Sequence, residues 1–103
     1  MPRKKHLKIL GFNYEVKVVE PNEMNESFNG ICDDTKLILL IKKNKVMLST
    51  FIHEIIEALN TNFDWQLEHT VLVQMETALR AILIDNKLLD LKRVKYFLTE
   101  ESD

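Results

Sequence analysis

Hydrophobic residues between positions 48 and 59 recur at intervals that place them on one face of an α-helix. This stripe consists of Leu48, Phe51, Ile52, Ile55, Ile56 and Leu59. The pattern predicts an amphipathic helix over residues 49–60. The opposite arc of that helix carries four polar side chains, Thr50, His53, Glu54 and Glu57.

Two further helices are predicted after a short link at residues 61–65, in which Asp64 is a candidate cap for the next helix. The second helix covers residues 66–85. Its expected core stripe is Val71, Met75, Ala78, Leu79 and Ile82, with Thr70, Gln74 and Thr77 facing water. A short third helix is indicated by Leu88, Leu91, Val94 and Leu98.

The first 41 residues read as strands and turns. Residues 6–10 and 14–19 form a predicted hairpin around residues 11–13, and residues 27–32 form a weaker, polar strand. Residues 37–41 are uninterrupted apolar, so they are expected in the centre of the sheet, with 27–32 at its edge. The predicted class is α+β, a small antiparallel or mixed sheet of three to four strands followed by two to three helices.

Composition, net charge and cysteine count indicate the kind of protein and the partners to expect. The 103 residues are 46% hydrophobic and 29% charged, which is typical of a single globular domain. A net charge of −2 makes nucleic acid an unlikely partner. The basic residues 1–6 and the acidic residues 99–103 are expected to fray. With one cysteine and no signal-peptide or membrane-spanning pattern, the chain is expected to be soluble and cytoplasmic, without membrane partners.

The polar arc of the first helix carries the spacing of a metal site. His53 and Glu57 are four residues apart, so they lie on one face, and Glu54 lies beside them. In the motif H-E-x-x-H the outer pair binds a metal and the Glu is the general base. Here the last position is Glu. The alternative interpretation is an ordinary solvated helix face.

The second helix offers two more donors, His69 and Glu76, which are seven residues apart and point the same way. Apolar residues flank them on both sides, so an unpaired carboxylate there would be costly. One interpretation is a boundary pair that reaches solvent or an arginine. The other is that the two helices pack antiparallel, so that His53 and Glu57 face His69 and Glu76.

Residues 53–60, HEIIEALN, residues 67–72, LEHTVL, and Glu76 resemble a family of small zincin-like proteins of phages and mobile elements. The resemblance spans residues 7–86. It implies His53, Glu57 and His69 as ligands of Zn²⁺ or another divalent metal, and Glu54 as general base. Glu76 would orient a ligand or replace one. The chain departs from most zincins in having Glu57 where they have His, and it lacks a Met-turn motif.

The resemblance also implies where a substrate would bind, because zincins hold an extended peptide along the edge strand of their sheet. The residues of that strand are Ser27, Phe28, Asn29, Gly30, Ile31 and Cys32. The leading hypothesis is therefore a minimal zinc-dependent metallopeptidase with a peptide or protein substrate. The alternative is a catalytically inactive phage accessory protein that keeps the fold and acts by binding a protein partner. A plain interaction or nucleic-acid module is a third reading.

Overall fold

The structure, a computed structural model, describes residues 4–99 as a four-stranded sheet followed by three helices. The predicted α+β class is confirmed. The strands are β1 (Lys5–Ile9), β2 (Phe12–Val19), β3 (Gly30–Asp33) and β4 (Ile38–Lys42), with a 3₁₀ turn at Pro21–Glu23. The helices are α1 (Met47–Phe63), α2 (His69–Asp85) and α3 (Leu91–Phe97).

The strands lie in the order β1-β2-β4-β3. The β2–β4 pair is parallel and the other two pairs are antiparallel, so the sheet is mixed. The apolar strand β4 is internal, as predicted, and its Leu39 and Ile41 have no exposed surface. Strand β3 is an edge strand, also as predicted, although it begins only at Gly30 and residues 27–29 precede it.

The β1–β2 hairpin turns on two residues rather than three. Leu10 and Gly11 have φ angles of 51° and 87°, and Ile9 pairs directly with Phe12. Positive φ at both central residues is typical of the tight turn that matches the twist of a hairpin. The predicted turn at residues 11–13 is therefore shifted by one residue, and Phe12 belongs to β2.

The main core lies between the sheet and α1, and α3 closes its end. Tyr14 of β2 and Leu39 of β4 contact the buried side of α1, which includes Phe51 and Ala58. Phe97 of α3 stacks on Phe51 with ring centroids 5.8 Å apart. Burial of this apolar surface holds α1 firmly against the sheet, so the polar side of α1 has a fixed direction.

Helix α1 is longer than predicted, because it continues to Phe63 before Asp64 ends it. Asp64 adopts the left-handed conformation (φ 52°), and its N–H donates to the carbonyls of Asn60 and Thr61. It therefore caps the C-terminus of α1, which corrects its predicted role as the cap of α2. The residue that precedes α2 is Glu68.

Helix α2 packs against α1 and forms an antiparallel hairpin with it. Leu67 N–H donates to the side chain of Asn60, whereas His53, two turns earlier in α1, contacts Glu76, further along α2. Leu72 joins Ile52 and Ile56 in a second, smaller core. This arrangement agrees with the antiparallel pair predicted from the sequence.

The predicted core stripe of α2 is wrong. Val71, Met75, Leu79 and Ile82 are 37%, 38%, 43% and 54% exposed, and Ala78 is exposed as well. Among the residues of α2, only Leu72 is buried. Helix α2 meets α1 through the side that carries Leu72 and Glu76, so the stripe is rotated by roughly 100° out of the contact. Because α2 packs mainly on α1, the side of α2 that carries the predicted stripe stays exposed.

The two chain ends fall largely outside the described residues. Of the stretches expected to fray, residues 1–3 and 100–103 are not described. Lys5 and His6 instead belong to β1, and Lys5 Nζ donates to the Thr99 carbonyl at 2.6 Å. Within residues 4–99, no helix is long and apolar enough to cross a membrane.

Candidate active site

A cleft of about 770 Å³ lies where β3, α1 and α2 meet. Every residue selected from the sequence as a site residue lines it. From β3 and the loop before it come Ser27, Phe28, Asn29, Gly30, Ile31 and Cys32; from the two helices come His53, Glu54, Glu57, His69 and Glu76. The cleft thus brings both halves of the predicted constellation and the predicted substrate strand to one place.

Glu54 is the most deeply placed of the polar groups. It is 5% exposed, although the helical pattern assigned it to the polar arc of α1. The reason is the close approach of β3: a Cβ at Gly30 would lie 3.0 Å from Glu54 Oε2 and 2.5 Å from the Thr50 methyl group. Only a glycine leaves room for α1 at this point, so Gly30 sets the depth at which Glu54 is held.

The pKa of Glu54 is raised from its ordinary value of 4.5 to about 8. Burial is the largest cause, followed by the negative charges of Glu57, Glu76 and Asp34. An ionised carboxylate loses hydration in such a place, and the charges that act on it there are negative as well. The carboxyl group is therefore held near the protonation midpoint of neutral solution, and a cation in the cleft would favour its ionised form.

His53 and Glu76 form the clearest polar contact across the two helices. His53 Nδ1 lies 3.1 Å from Glu76 Oε1, and the two side chains are only 16% and 17% exposed. A carboxylate at Nδ1 fixes the ring orientation and directs Nε2 elsewhere, as the outer partners of metal-binding histidines do. The His69 ring stands edge-on to the His53 ring at a centroid distance of 5.7 Å.

The donors suit a metal by type but are not arranged as a finished ligand shell. Within residues 4–99, no three His, Cys, Asp or Glu side chains form a group able to hold a metal ion. Two imidazoles and a carboxylate, as His53, His69 and Glu57 supply, are the donor set of catalytic zinc sites. Since His69 is exposed and Glu57 half-buried, both side chains have room to change rotamer.

A partly buried polar network that includes Cys32 of the cleft was not anticipated from the sequence. The Tyr14 hydroxyl donates to Asp34 Oδ1 at 2.9 Å and accepts from Asn62 Nδ2 at 3.1 Å. The Cys32 thiol lies 3.3 Å from the same Asp34 oxygen. Burial raises the pKa of Cys32 far above its ordinary value and, as the largest cause, also raises that of Tyr14. Both groups therefore stay protonated near neutral pH, which disfavours them as nucleophiles. The Tyr14 hydroxyl hydrogen is already donated to Asp34 and so does not point at a substrate.

This network joins residues that are far apart in sequence, which is why no local pattern indicated it. Tyr14 and Asn62 are 48 positions apart, and Asp34 lies in a segment that reads only as a polar turn. Its effect on the site is electrostatic and mechanical. Asp34 contributes negative charge toward Glu54, and the hydrogen bonds tie the end of β3 to α1.

The free edge of β3 faces the cleft with a defined set of backbone groups. Lys42 N–H donates to the Asn29 carbonyl at 2.8 Å, and Gly30 is the next residue, opposite Ile41. In an antiparallel pair, hydrogen-bonded and non-hydrogen-bonded residues alternate. The N–H and C=O groups of Gly30 and Cys32 therefore point away from β4, toward the open edge.

Comparison with known proteins gives no match: no family model, no curated protein and no solved structure is significantly similar to the chain. The zincin-like resemblance therefore stays a prediction that rests on the motif residues quoted above.

Proposed function

We propose that the chain is a zinc-dependent metallopeptidase of the minimal zincin type, acting on a peptide or protein in the cytoplasm. The observation that carries this proposal is the single cleft in which the H-E-x-x-E face of α1, the His and Glu of α2 and an unpaired strand edge meet. A metal, a proton acceptor and a backbone template for a peptide are the parts that such a hydrolase needs.

His53, Glu57 and His69 would hold the metal. Glu76 would orient the His53 ring rather than bind the metal itself. The Glu76 carboxylate accepts a hydrogen bond from His53 Nδ1, which leaves His53 Nε2 to bind the metal. When bound, zinc would lower the pKa of a coordinated water to about 7 and polarise the substrate carbonyl. Glu57, as a carboxylate in place of an imidazole, makes the donor set more anionic and more tolerant of other divalent metals.

Glu54 is the proposed general base and proton carrier. In the metal-free fold, burial and the neighbouring carboxylates raise its pKa to about 8. A bound zinc ion would lower that pKa, so that the ionised carboxylate is available to take a proton from water. Gly30 lies directly against the Glu54 carboxylate and limits the positions that it can take. A base held in one place loses little entropy when it acts.

The substrate would lie along β3 as an added strand. The outward N–H and C=O groups of Gly30 and Cys32 would pair with its backbone, which gives affinity without sequence preference. Phe28 and Val46, 50% and 45% exposed, line the same cleft together with Val73. Such side chains favour a substrate with a bulky apolar residue near the cleaved bond.

One observation favours the second candidate, a catalytically inactive accessory protein that acts by binding a protein. The described part of the chain holds no preformed group of three metal donors. The cleft and the strand edge would then serve only to hold a partner segment.

Elemental analysis and a cleavage assay separate the two candidates. Protein purified without a His-tag is expected to carry about one zinc per chain and to cleave an unstructured protein such as casein. Glu54→Gln should retain the zinc and lose cleavage, whereas Glu26→Gln, at an exposed carboxylate, is the matched control. Zinc without cleavage supports the binding protein. Failure to bind any divalent metal, with the protein folded, refutes the metallopeptidase.

A further inference from the structure

The exposed apolar side of α2 is a second feature of the molecule, separate from the cleft. We call Val71, Met75, Ala78, Leu79 and Ile82 the α2 stripe. These side chains lie on the surface, whereas α2 contacts α1 through the side that carries Leu72. Single exposed apolar residues are ordinary, but a contiguous row along three turns of one helix marks an interaction surface.

The α2 stripe carries no charge. Between its ends, the only ionisable residues are Glu76 and Arg80, and the helical period puts both on the other side of α2. A solvated helix face in a chain with 29% charged residues would normally carry several. The composition of the stripe is instead that of the centre of a protein interface, where charged residues are depleted.

We propose that the α2 stripe binds a second copy of this chain, with the two α2 helices packed antiparallel about a twofold axis. Four of its five residues are symmetrically spaced. Val71, Met75, Ala78 and Ile82 are separated by four, three and four residues, so their spacing, though not their identity, is the same in both directions. A twofold interface requires a surface that is complementary to itself. Val71 would meet Ile82 of the partner subunit, and Met75 would meet Ala78 of the partner subunit.

The side chains suit this arrangement. Ala78 near the middle of the row lets the two helices approach closely, and Met75 opposite it is flexible enough to fill the space. Steps of four, three and four residues average close to one helical turn of about 3.6 residues, so the row runs straight along α2. Thr70 and Thr77 lie outside the row and would stay exposed to solvent in the dimer.

The exposed apolar area of the stripe suits a weak dimer. From their exposed fractions, Val71, Met75, Leu79 and Ile82 together offer on the order of 300 Å² of apolar surface per copy. A standard interface buries about 800 Å² per partner, of which roughly 60% is apolar. The stripe supplies more than half of that apolar share, which places the interface at the small end of the size range, where complexes are weak or transient.

Two other occupants fit less well. A helix that lies on a membrane surface carries lysine and arginine along its polar face, and α2 has only Arg80. The chain's own residues outside the described part offer no apolar row, since residues 1–3 are Met-Pro-Arg and residues 100–103 are Glu-Glu-Ser-Asp. A second copy is the occupant that the symmetric spacing favours.

Sedimentation velocity of the full chain, from about 1 to 200 µM, tests the proposal. The wild type should sediment increasingly as a dimer. Val71→Glu/Ile82→Glu should weaken association at least tenfold, since it sets two carboxylates against each other at each end of the row. Thr70→Glu/Thr77→Glu adds the same charge on the opposite face and should dimerise as the wild type does. Circular dichroism checks that each variant is folded.

A monomeric wild type at every concentration would overturn the proposal, as would equal weakening by the two double variants. Flotation with vesicles of mixed neutral and anionic phospholipid is the second arm. Binding to vesicles that is lost only in Val71→Glu/Ile82→Glu would assign the stripe to lipid instead.

The antiparallel direction has its own test. Val71→Glu and Ile82→Lys, each prepared alone, should associate weakly, whereas an equimolar mixture should form heterodimers. The reason is that the carboxylate introduced at position 71 of one copy then faces the ammonium group introduced at position 82 of the other. Parallel packing would bring position 71 against position 71 and give no such pairing. Absence of heterodimers from the mixture would refute the antiparallel arrangement.

Discussion

Replacing Glu54 with glutamine should remove a specific pH dependence from the stability of the metal-free protein. Folding takes this carboxyl group from water to a position where it is 5% exposed, and its pKa rises from 4.5 to about 8. Between these two values the folded state keeps the proton and the unfolded state has released it. Stability from this group is therefore complete below pH 4.5 and is lost as pH rises toward 8.

The size of the effect follows from the linkage relation. Each pH unit in that interval lowers the free energy of unfolding by about 1.4 kcal/mol, so the whole interval corresponds to about 5 kcal/mol. A domain of this size has roughly 5–15 kcal/mol of stability in total. Glutamine has nearly the same shape and stays neutral. At pH 8, Glu54→Gln should be more stable than the wild type by several kcal/mol, and at pH 5 by less than about 1 kcal/mol.

Urea unfolding at a series of pH values from 5 to 9, with a chelator present, measures this difference directly. The matched control is Glu26→Gln, which removes an exposed carboxylate and should give a curve parallel to that of the wild type. If the wild type and Glu54→Gln keep a constant difference across this range, Glu54 is not held protonated in the fold. A larger difference at pH 5 than at pH 8 would reverse the sign and refute the reasoning.

Three further outcomes are expected. Glu76→Gln should weaken zinc binding about 10- to 100-fold in a chelator competition, because it loosens the orientation of His53; unchanged affinity would remove Glu76 from the site. Gly30→Ala should cost about 1–3 kcal/mol in urea unfolding, and Thr50→Ser, which deletes the methyl group 2.5 Å from the added carbon, should restore part of that loss. Leu39→Ala, in the middle of the sheet, should cost about 2–5 kcal/mol, and a loss below about 1 kcal/mol would contradict its place in the core.

The sheet and α1 were predictable because only one arrangement buries the hydrophobic residues of each. An apolar run such as that of β4 must be covered on both faces, so it is internal, and a polar strand next to it becomes the edge. The stripe through Phe51 and Ile52 likewise has one buried side. Helix α2 was different, because it carries apolar residues on two sides: Leu72 on one and Met75 with its neighbours on the other. Periodicity tells which residues share a face, but the neighbouring elements decide which face is covered.

The structure brings the predicted site residues together in one cleft, but their environments could not be predicted from the sequence. Glu54 has the spacing of a solvated residue and is buried because Gly30 allows β3 to approach α1. The hydrogen bond that Tyr14 donates to Asp34 depends on contacts between distant segments. Such contacts set the pKa of Glu54. The position of the site could therefore be predicted from local sequence patterns, whereas its chemistry depends on tertiary structure.

The sparse burial of α2 has a consequence for how the protein moves. Because Leu72 is the one buried residue of this helix, α2 can detach from α1 at a much lower free energy than global unfolding requires. Its amides should therefore exchange with deuterium much faster than those of α1, and in a single cooperative group. His69 and Glu76 would leave with it, so half of the site exists only while α2 is docked. Any ligand that bridges the two helices should slow that exchange, and the slowing would report its affinity without an activity assay.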